Sequence, residues 1–244
     1  MAAGHNPLEQ FKIHYLTNFP EVAGMNLNFT NSALFMVLAL GLVAAFMSLS
    51  MRGRALVPGR WQSMAEMSYE FVANMVRDNV GSEGRKYFPF IFTLFMFIVA
   101  LNVLGLMPYS FTATSHIAVT FALAAFIFLA VTFIAIYRHG LKFFGFFLPH
   151  GTPWWLAPLM IFIELFAYLA RPISLSVRLG ANMMAGHTML KVIAGFVTAM
   201  GVFGIVPLAF LMVLSGFELF VAILQAYIFT VLTCVYLNDS IHLH

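Results

Sequence analysis

Arg178 is the residue whose chemistry most needs an explanation. It lies in the run R-P-I-S-L-S-V-R-L-G-A-N-M-M-A-G-H, residues 171–187, with Leu, Met, Phe, Ile and Val predominating on both sides. A guanidinium at membrane depth costs at least ~2.5–3.5 kcal/mol on insertion scales. It cannot relieve that cost by deprotonating, because its pKa lies above ~12. Such a side chain must meet water or an anionic partner. Ionisable neighbours are few: Glu164, Arg171, His187 and Lys191 on the same stretch, and Glu218 further on. Glu164, Arg171 and Arg178 recur every seven residues, so they share one face of a helix, with Asn182 one turn beyond. His187 falls on roughly the opposite side, so water reaching His187 need not be the water that meets Arg178. Glu218 and Gln225 are again seven apart and set a carboxylate and an amide along one stripe.

Each residue also has a plainer reading. Arg171 and Lys191 suit an interface, where long side chains reach the headgroups. Glu218, amid Leu, Phe, Val and Ile, would be protonated unless wet or paired, and acids at that depth belong to ion pathways more often than to passive structure. His187 could be a satisfied core histidine, yet an imidazole with an ordinary pKa near ~6.5 is suited to passing protons. Ser174, Ser176, Gly180, Ala181, Ala185 and Gly186 would let another helix come close. Packing within the chain accounts for them equally well. His116 stands beside a polar loop and reads as structural, while His5, His14, His150, His242 and His244 fall in surface segments.

The elements that must position these groups follow from the apolar runs. Residues 1–32 read as a polar N-terminal arm with no cleavable signal pattern. Ala33 to Met51 is uncharged and long enough for one spanning helix, ending at Arg52 and Arg54. Residues 58–80 place Trp61, Met64, Met67, Phe71, Val72, Met75 and Val76 at helical spacing, with Glu66, Glu70, Arg77 and Asp78 on other faces. That pattern predicts an amphipathic helix lying on the membrane or on a partner, stopped near Gly81 and Gly84. Tyr87 to Tyr137 contains no Asp, Glu, Lys or Arg and is broken at Pro108 to Ser115, giving two further spans near 88–107 and 116–137. Residues 33–143 thus hold the first three membrane helices.

Residues 144–244 are different. About 38 residues of helix-compatible sequence precede Lys191, roughly 57 Å as one helix against a ~30 Å hydrocarbon core. A second long segment runs from about Val206 to Asn238. The expectation is a steeply tilted helical hairpin turning near Gly201–Gly204, with Pro172, Gly180 and Gly186 as bending points in its first arm. Eight of the 12 Lys and Arg flank one side of the first three spans. By the positive-inside rule that side is the cytoplasm, or the matrix of an organelle, which puts the N-terminus outside and the C-terminus inside.

Composition agrees with this class. The chain has 244 residues, 62% hydrophobic and only 9% charged, too few charges to cover a soluble domain. The fold expected is therefore an all-α integral membrane protein of about five membrane helices plus one amphipathic interfacial helix. A lone cysteine, Cys234, excludes an internal disulfide or a cysteine metal site. The basic residues form no stripe with interleaved aromatics, which argues against nucleic acid. No cofactor and no metal are expected.

The runs S-V-R-L-G-A-N-M-M-A-G-H at 176–187 and L-Q-A-Y-I-F-T-V-L at 224–232 resemble the signature of the subunit a family of F-type rotary ATP synthases, and N-V-L-G-L-M-P-Y-S-F-T at 102–112 is similar to another family segment. The resemblance covers most of the chain from about residue 60 onward. It implies a stationary proton-channel subunit whose essential arginine matches Arg178, whose polar companions match Asn182 and Gln225, and whose upstream acid matches Glu164. Some bacterial members carry Glu where this chain has His187 and His where it has Glu218. The exchanged pair resembles mitochondrial and related bacterial forms. The partners implied are a rotor ring of c subunits, b-type peripheral-stalk subunits, other ATP synthase subunits and the lipid bilayer. The site implied is a bacterial plasma membrane, ahead of a mitochondrial inner membrane. No phosphate-binding loop occurs, so ATP chemistry would belong to other chains. Two competing classes are a haem-bearing membrane anchor and a self-contained secondary transporter; paired membrane-depth His and an internal repeat, their respective marks, are missing from the sequence.

Overall fold

The computed structural model describes residues 29–52, 57–107, 110–140, 145 and 155–241. Six α-helices account for most of them: α1 (Asn31–Ser50), α2 (Arg60–Val80), α3 (Phe88–Gly105), α4 (Ile117–His139), α5 (Ala157–Ala199) and α6 (Ile205–Ile241). Short 3₁₀ turns at Ser82–Lys86, Ala113–Ser115 and Gly201–Gly204 join neighbouring helices. No strand occurs among the described residues. All of these helices except α2 are long and apolar enough to cross a membrane, so the chain is a multi-pass membrane protein.

Local chemistry explains the boundaries. The Thr30 side chain accepts a hydrogen bond from the Ala33 amide at 3.2 Å and so caps α1 two residues before the expected start. The expected N-terminal arm therefore loses Asn31 and Ser32 to the helix, and residues 1–28 lie outside the described residues. Pro89 sits in the first turn of α3, where its missing N–H is no loss. Gly201 turns α5 into α6 with φ 55, a left-handed conformation that costs other residues steric strain. The hairpin predicted from the sequence is thus present with its turn where expected.

α5 runs unbroken for 43 residues, Pro172 included, and α6 for 37. At 1.5 Å per residue α5 is roughly 64 Å long, about twice the hydrocarbon thickness. Pro172, Gly180 and Gly186 do not interrupt it. They lie toward its packed side, where neighbouring helices support the backbone.

The main core joins α2, α3, α4, α5 and α6 through Val72, Ile91, Ile98, Ile127, Leu179 and Phe229. α1 is held by a smaller cluster of Ala39, Ala100, Leu101, Phe111 and Ala113. α2 departs from the face expected of it. Ala65, Val72, Met75, Val76 and Val80 are buried, whereas Trp61, Met64, Met67 and Phe71 are exposed. Its apolar arc is wide enough to divide: the inner part packs on the chain and the outer part is exposed, with Glu66, Glu70 and Arg77 on the polar side.

One end of the bundle is tied by polar contacts. Arg138 on α4 pairs with Glu83. The Nε2–H of His139 donates to the carbonyls of Ser240 at 3.1 Å and Ile241 at 3.2 Å, which would otherwise be orphaned at the end of α6. The α3–α4 connection and the α5–α6 turn lie at the other end.

Candidate functional site

α5 presents two different faces. Pro172, Leu175, Ser176, Leu179, Gly180, Met183 and His187 point into the protein and are buried. Arg178 and Asn182 are exposed, and Glu164 and Arg171 are half-buried on the same side of the helix. Ser174, Ala181 and Ala185 are exposed near Arg178, so a second helix could reach that strip closely. The other small residues serve internal packing. Gly180 admits Thr120 of α4, whose Oγ1 would lie 3.2 Å from a Cβ there, and Gly186 admits the Glu218 side chain. Of the six small residues, Ser176, Gly180 and Gly186 thus pack within the protein, while Ser174, Ala181 and Ala185 are exposed.

On the buried face, α5 and α6 bring together His187 and Glu218. They are 8% and 6% exposed, and Nδ1 lies 3.4 Å from Oε1. Gly186 makes this possible, because an added Cβ would stand 2.5 Å from Glu218 Oε1. The other ring nitrogen, Nε2, is 2.9 Å from Oγ1 of Thr112. An acid and an imidazole so placed, shielded from lipid, can hold one exchangeable proton between them.

About one and a half turns along α5 toward Arg178, Asn182 Nδ2 donates to Oε1 of Gln225 at 3.1 Å. The two amides expected to be companions are thus in direct contact across the hairpin. Gln225 is buried, and its Nε2 has no hydrogen-bond partner among the described residues. Asn102 on α3 is fully buried and donates to the Ala222 carbonyl at 3.0 Å, one turn from Glu218.

Arg178 and Glu164 form no ion pair among the described residues. Arg171 does, which corrects its reading as a side chain reaching for headgroups. Its Nη1 lies 3.1 Å from Oδ2 of Asp239, and its guanidinium stands 5.4 Å from the Tyr168 ring and 5.0 Å from the Tyr236 ring. The sequence carried a faint signal for this brace: a tyrosine three residues before Arg171 and another three before Asp239. Tyr168 is itself held by Thr132 of α4, 2.6 Å away. Thr112, Asn102 and Asp239 were missed as site residues, since nothing local marks a contact across such separations. His116 stacks on Phe111, with ring centroids 5.0 Å apart.

A family model described as ATP synthase A chain matches residues 33–238. The chain is 59% identical over 241 residues to ATP synthase subunit a of Rhodospirillum rubrum, covering 98% of this chain and 100% of that one. It is 54% identical over 240 residues to ATP synthase subunit a of Ehrlichia canis, and 52% identical over 240 residues to that of Ehrlichia ruminantium, each covering 98% of this chain and 99% of the relative.

Proposed function

The chain belongs to the ATP synthase A chain family, and from that premise we propose that it is the stationary channel subunit that passes protons to and from a rotor ring through two offset aqueous half-channels. Protons from the outer side reach the His187–Glu218 pair and are handed to a carboxylate on a ring of c subunits, which then turns into lipid. After nearly a full rotation that carboxyl meets the second half-channel, lined by Glu164, and releases its proton inside. Arg178 stands between the two. Its permanent charge favours the ionised ring carboxylate and opposes a proton crossing directly from one channel to the other. The Asn182–Gln225 contact separates Arg178 from the relay pair and supplies polar atoms between them. Each proton carries ~2.3 kcal/mol per 100 mV, so several together can drive phosphoryl chemistry on other subunits.

The basic residues support an orientation with the N-terminus outside and the C-terminus inside; the likeness to bacterial relatives suggests that the inside is a bacterial cytoplasm, with b-type stalk subunits holding the protein still. The two arms of the hairpin cross the bilayer obliquely, which fits their length. Support for the reading comes above all from one observation: a guanidinium with no acidic partner among the described residues, on an exposed, small-residue strip, turned away from a buried acid–imidazole pair whose imidazole, His187, belongs to the same helix. A haem anchor fits poorly, since Nε2 of His187 is taken up by Thr112 at 2.9 Å and Nδ1 faces Glu218 at 3.4 Å.

The test is potential-driven proton flux and ATP synthesis in vesicles carrying the whole synthase. Arg178→Ala should abolish coupled synthesis while the complex still assembles. Arg178→Lys should fall well short of rescue, because an ammonium lacks the planar fork and can lose its charge when buried. Normal synthesis in the alanine variant would refute the assignment.

A further inference from the structure

The His187 ring touches different groups at its two nitrogens: Nδ1 faces Glu218 and Nε2 faces the Thr112 hydroxyl. That hydroxyl has a second neighbour, the Gly105 carbonyl oxygen at 3.2 Å, which can only accept. A hydroxyl has one proton to give and lone pairs to receive with. If Thr112 donates to Gly105, its oxygen is free to accept from Nε2–H, and both contacts are satisfied together. If it donates to Nε2 instead, the contact to Gly105 is lost. The geometry therefore favours the ring proton on Nε2, leaving Nδ1 bare toward Glu218.

The surroundings fix Thr112 in that position. It is 5% exposed. Its carbonyl accepts from the Ser115 hydroxyl at 2.7 Å and from the Ser115 amide at 3.2 Å, pinning the backbone of the α3–α4 connection. Gly105 leaves room for it, since a Cβ there would lie 2.8 Å from Thr112 Cγ2.

Building on the relay reading above, we propose that Thr112 is a positioning residue: it holds neutral His187 as the Nε2–H tautomer and so reserves Nδ1 for exchange with Glu218. One arriving proton then has two resting places, Nδ1, giving imidazolium beside carboxylate, or Oε1, giving a neutral carboxyl beside neutral imidazole. Nε2–H is unchanged in both, and the same proton leaves from Glu218 to the rotor. Thr112 never carries it.

The experiment uses the whole synthase in vesicles with Thr112→Val, Thr112→Ser and Glu218→Gln, reading potential-driven proton flux and the ¹⁵N signals of His187, assigned by their loss in His187→Gln. Valine matches threonine in shape, and Ser110 Oγ, which lies 2.7 Å from the Met107 carbonyl and 2.9 Å from that of Gly105, can turn its one proton to Gly105 when Thr112 no longer donates there. Thr112→Val should convert a single Nε2–H signature into a mixture and lower flux on the order of fivefold, the bias one neutral hydrogen bond supports. Thr112→Ser should restore both. Unchanged flux or an unchanged tautomer in the valine variant would overturn the proposal, and so would a serine variant as impaired as valine, which would assign the effect to the lost methyl. Glu218→Gln separates the two levels of argument. If it conducts normally, the relay reading itself fails; if it blocks flux while Thr112→Val is normal, only the role of Thr112 falls.

Discussion

Gly186→Ala isolates the geometry of the relay from its chemistry. The substitution removes no ionisable group and adds one methyl to a helix, where alanine is favoured over glycine by about 1 kcal/mol. The added Cβ would lie 2.5 Å from Glu218 Oε1, 3.0 Å from Cδ and 3.4 Å from Cγ. Ordinary carbon–oxygen contact needs about 3.4 Å or more, so the carboxylate must retreat by roughly 0.9 Å. Its side chain is flexible, so the backbone can stay and the complex should assemble with unchanged or slightly raised thermal stability. The relay should suffer, because a misplacement of about 1 Å can cost on the order of 100-fold in a reaction that depends on alignment. We expect proton flux in reconstituted vesicles to fall between about 10- and 100-fold. Adding Glu218→Asp in the same chain, which withdraws the carboxyl by one methylene, should recover part of it. Wild-type flux in Gly186→Ala would refute the reasoning, since the acid would then work equally well from a displaced position.

Two further outcomes concern the hairpin. Arg171→Ala should destabilise the assembled protein by about 1–2 kcal/mol, the sum of a partly exposed ion pair and two cation–π contacts; thermal melting of the purified complex, compared with Asp239→Ala, should show losses that are less than additive. Asn182→Ala and Gln225→Ala should each weaken the α5–α6 contact by about 0.5–1.5 kcal/mol. In a double-mutant cycle on stability, a coupling energy near zero would mean that the two amides do not depend on each other.

The helices were legible because their signal is local. Uncharged runs bounded by Arg, Lys, Gly and Pro predict α1, α3 and α4 to within a few residues, and the excess length of the last two segments predicts the hairpin. α2 was harder, because periodicity gives an apolar arc but not which part of a wide arc meets protein and which meets lipid. Arg178, His187 and Glu218 could be picked out since charge among aliphatic residues is costly and needs a cause. Their arrangement could not. A nine-residue separation places Arg178 opposite His187 on one helix, but the pairing of His187 with Glu218 and of Asn182 with Gln225 depends on the register of two helices joined by a turn. Thr112 and Asn102 end the family-like run 102–112, but their contacts were not legible for another reason: neutral polar residues near a loop are common, and only the close approach permitted at Gly105 and the packing of α3 on α6 give these two a partner.

The contacts on α6 have a mechanical consequence. Asn102 grips it at Ala222, Asn182 at Gln225, Arg171 at Asp239 and His139 at its final carbonyls. Sliding α6 lengthwise by a single residue, about 1.5 Å, would lengthen and misalign all four at once. A load applied to the open strip of α5 is therefore passed on to α3 and α4 rather than absorbed as slippage, which is what the proposed stationary role would ask of it.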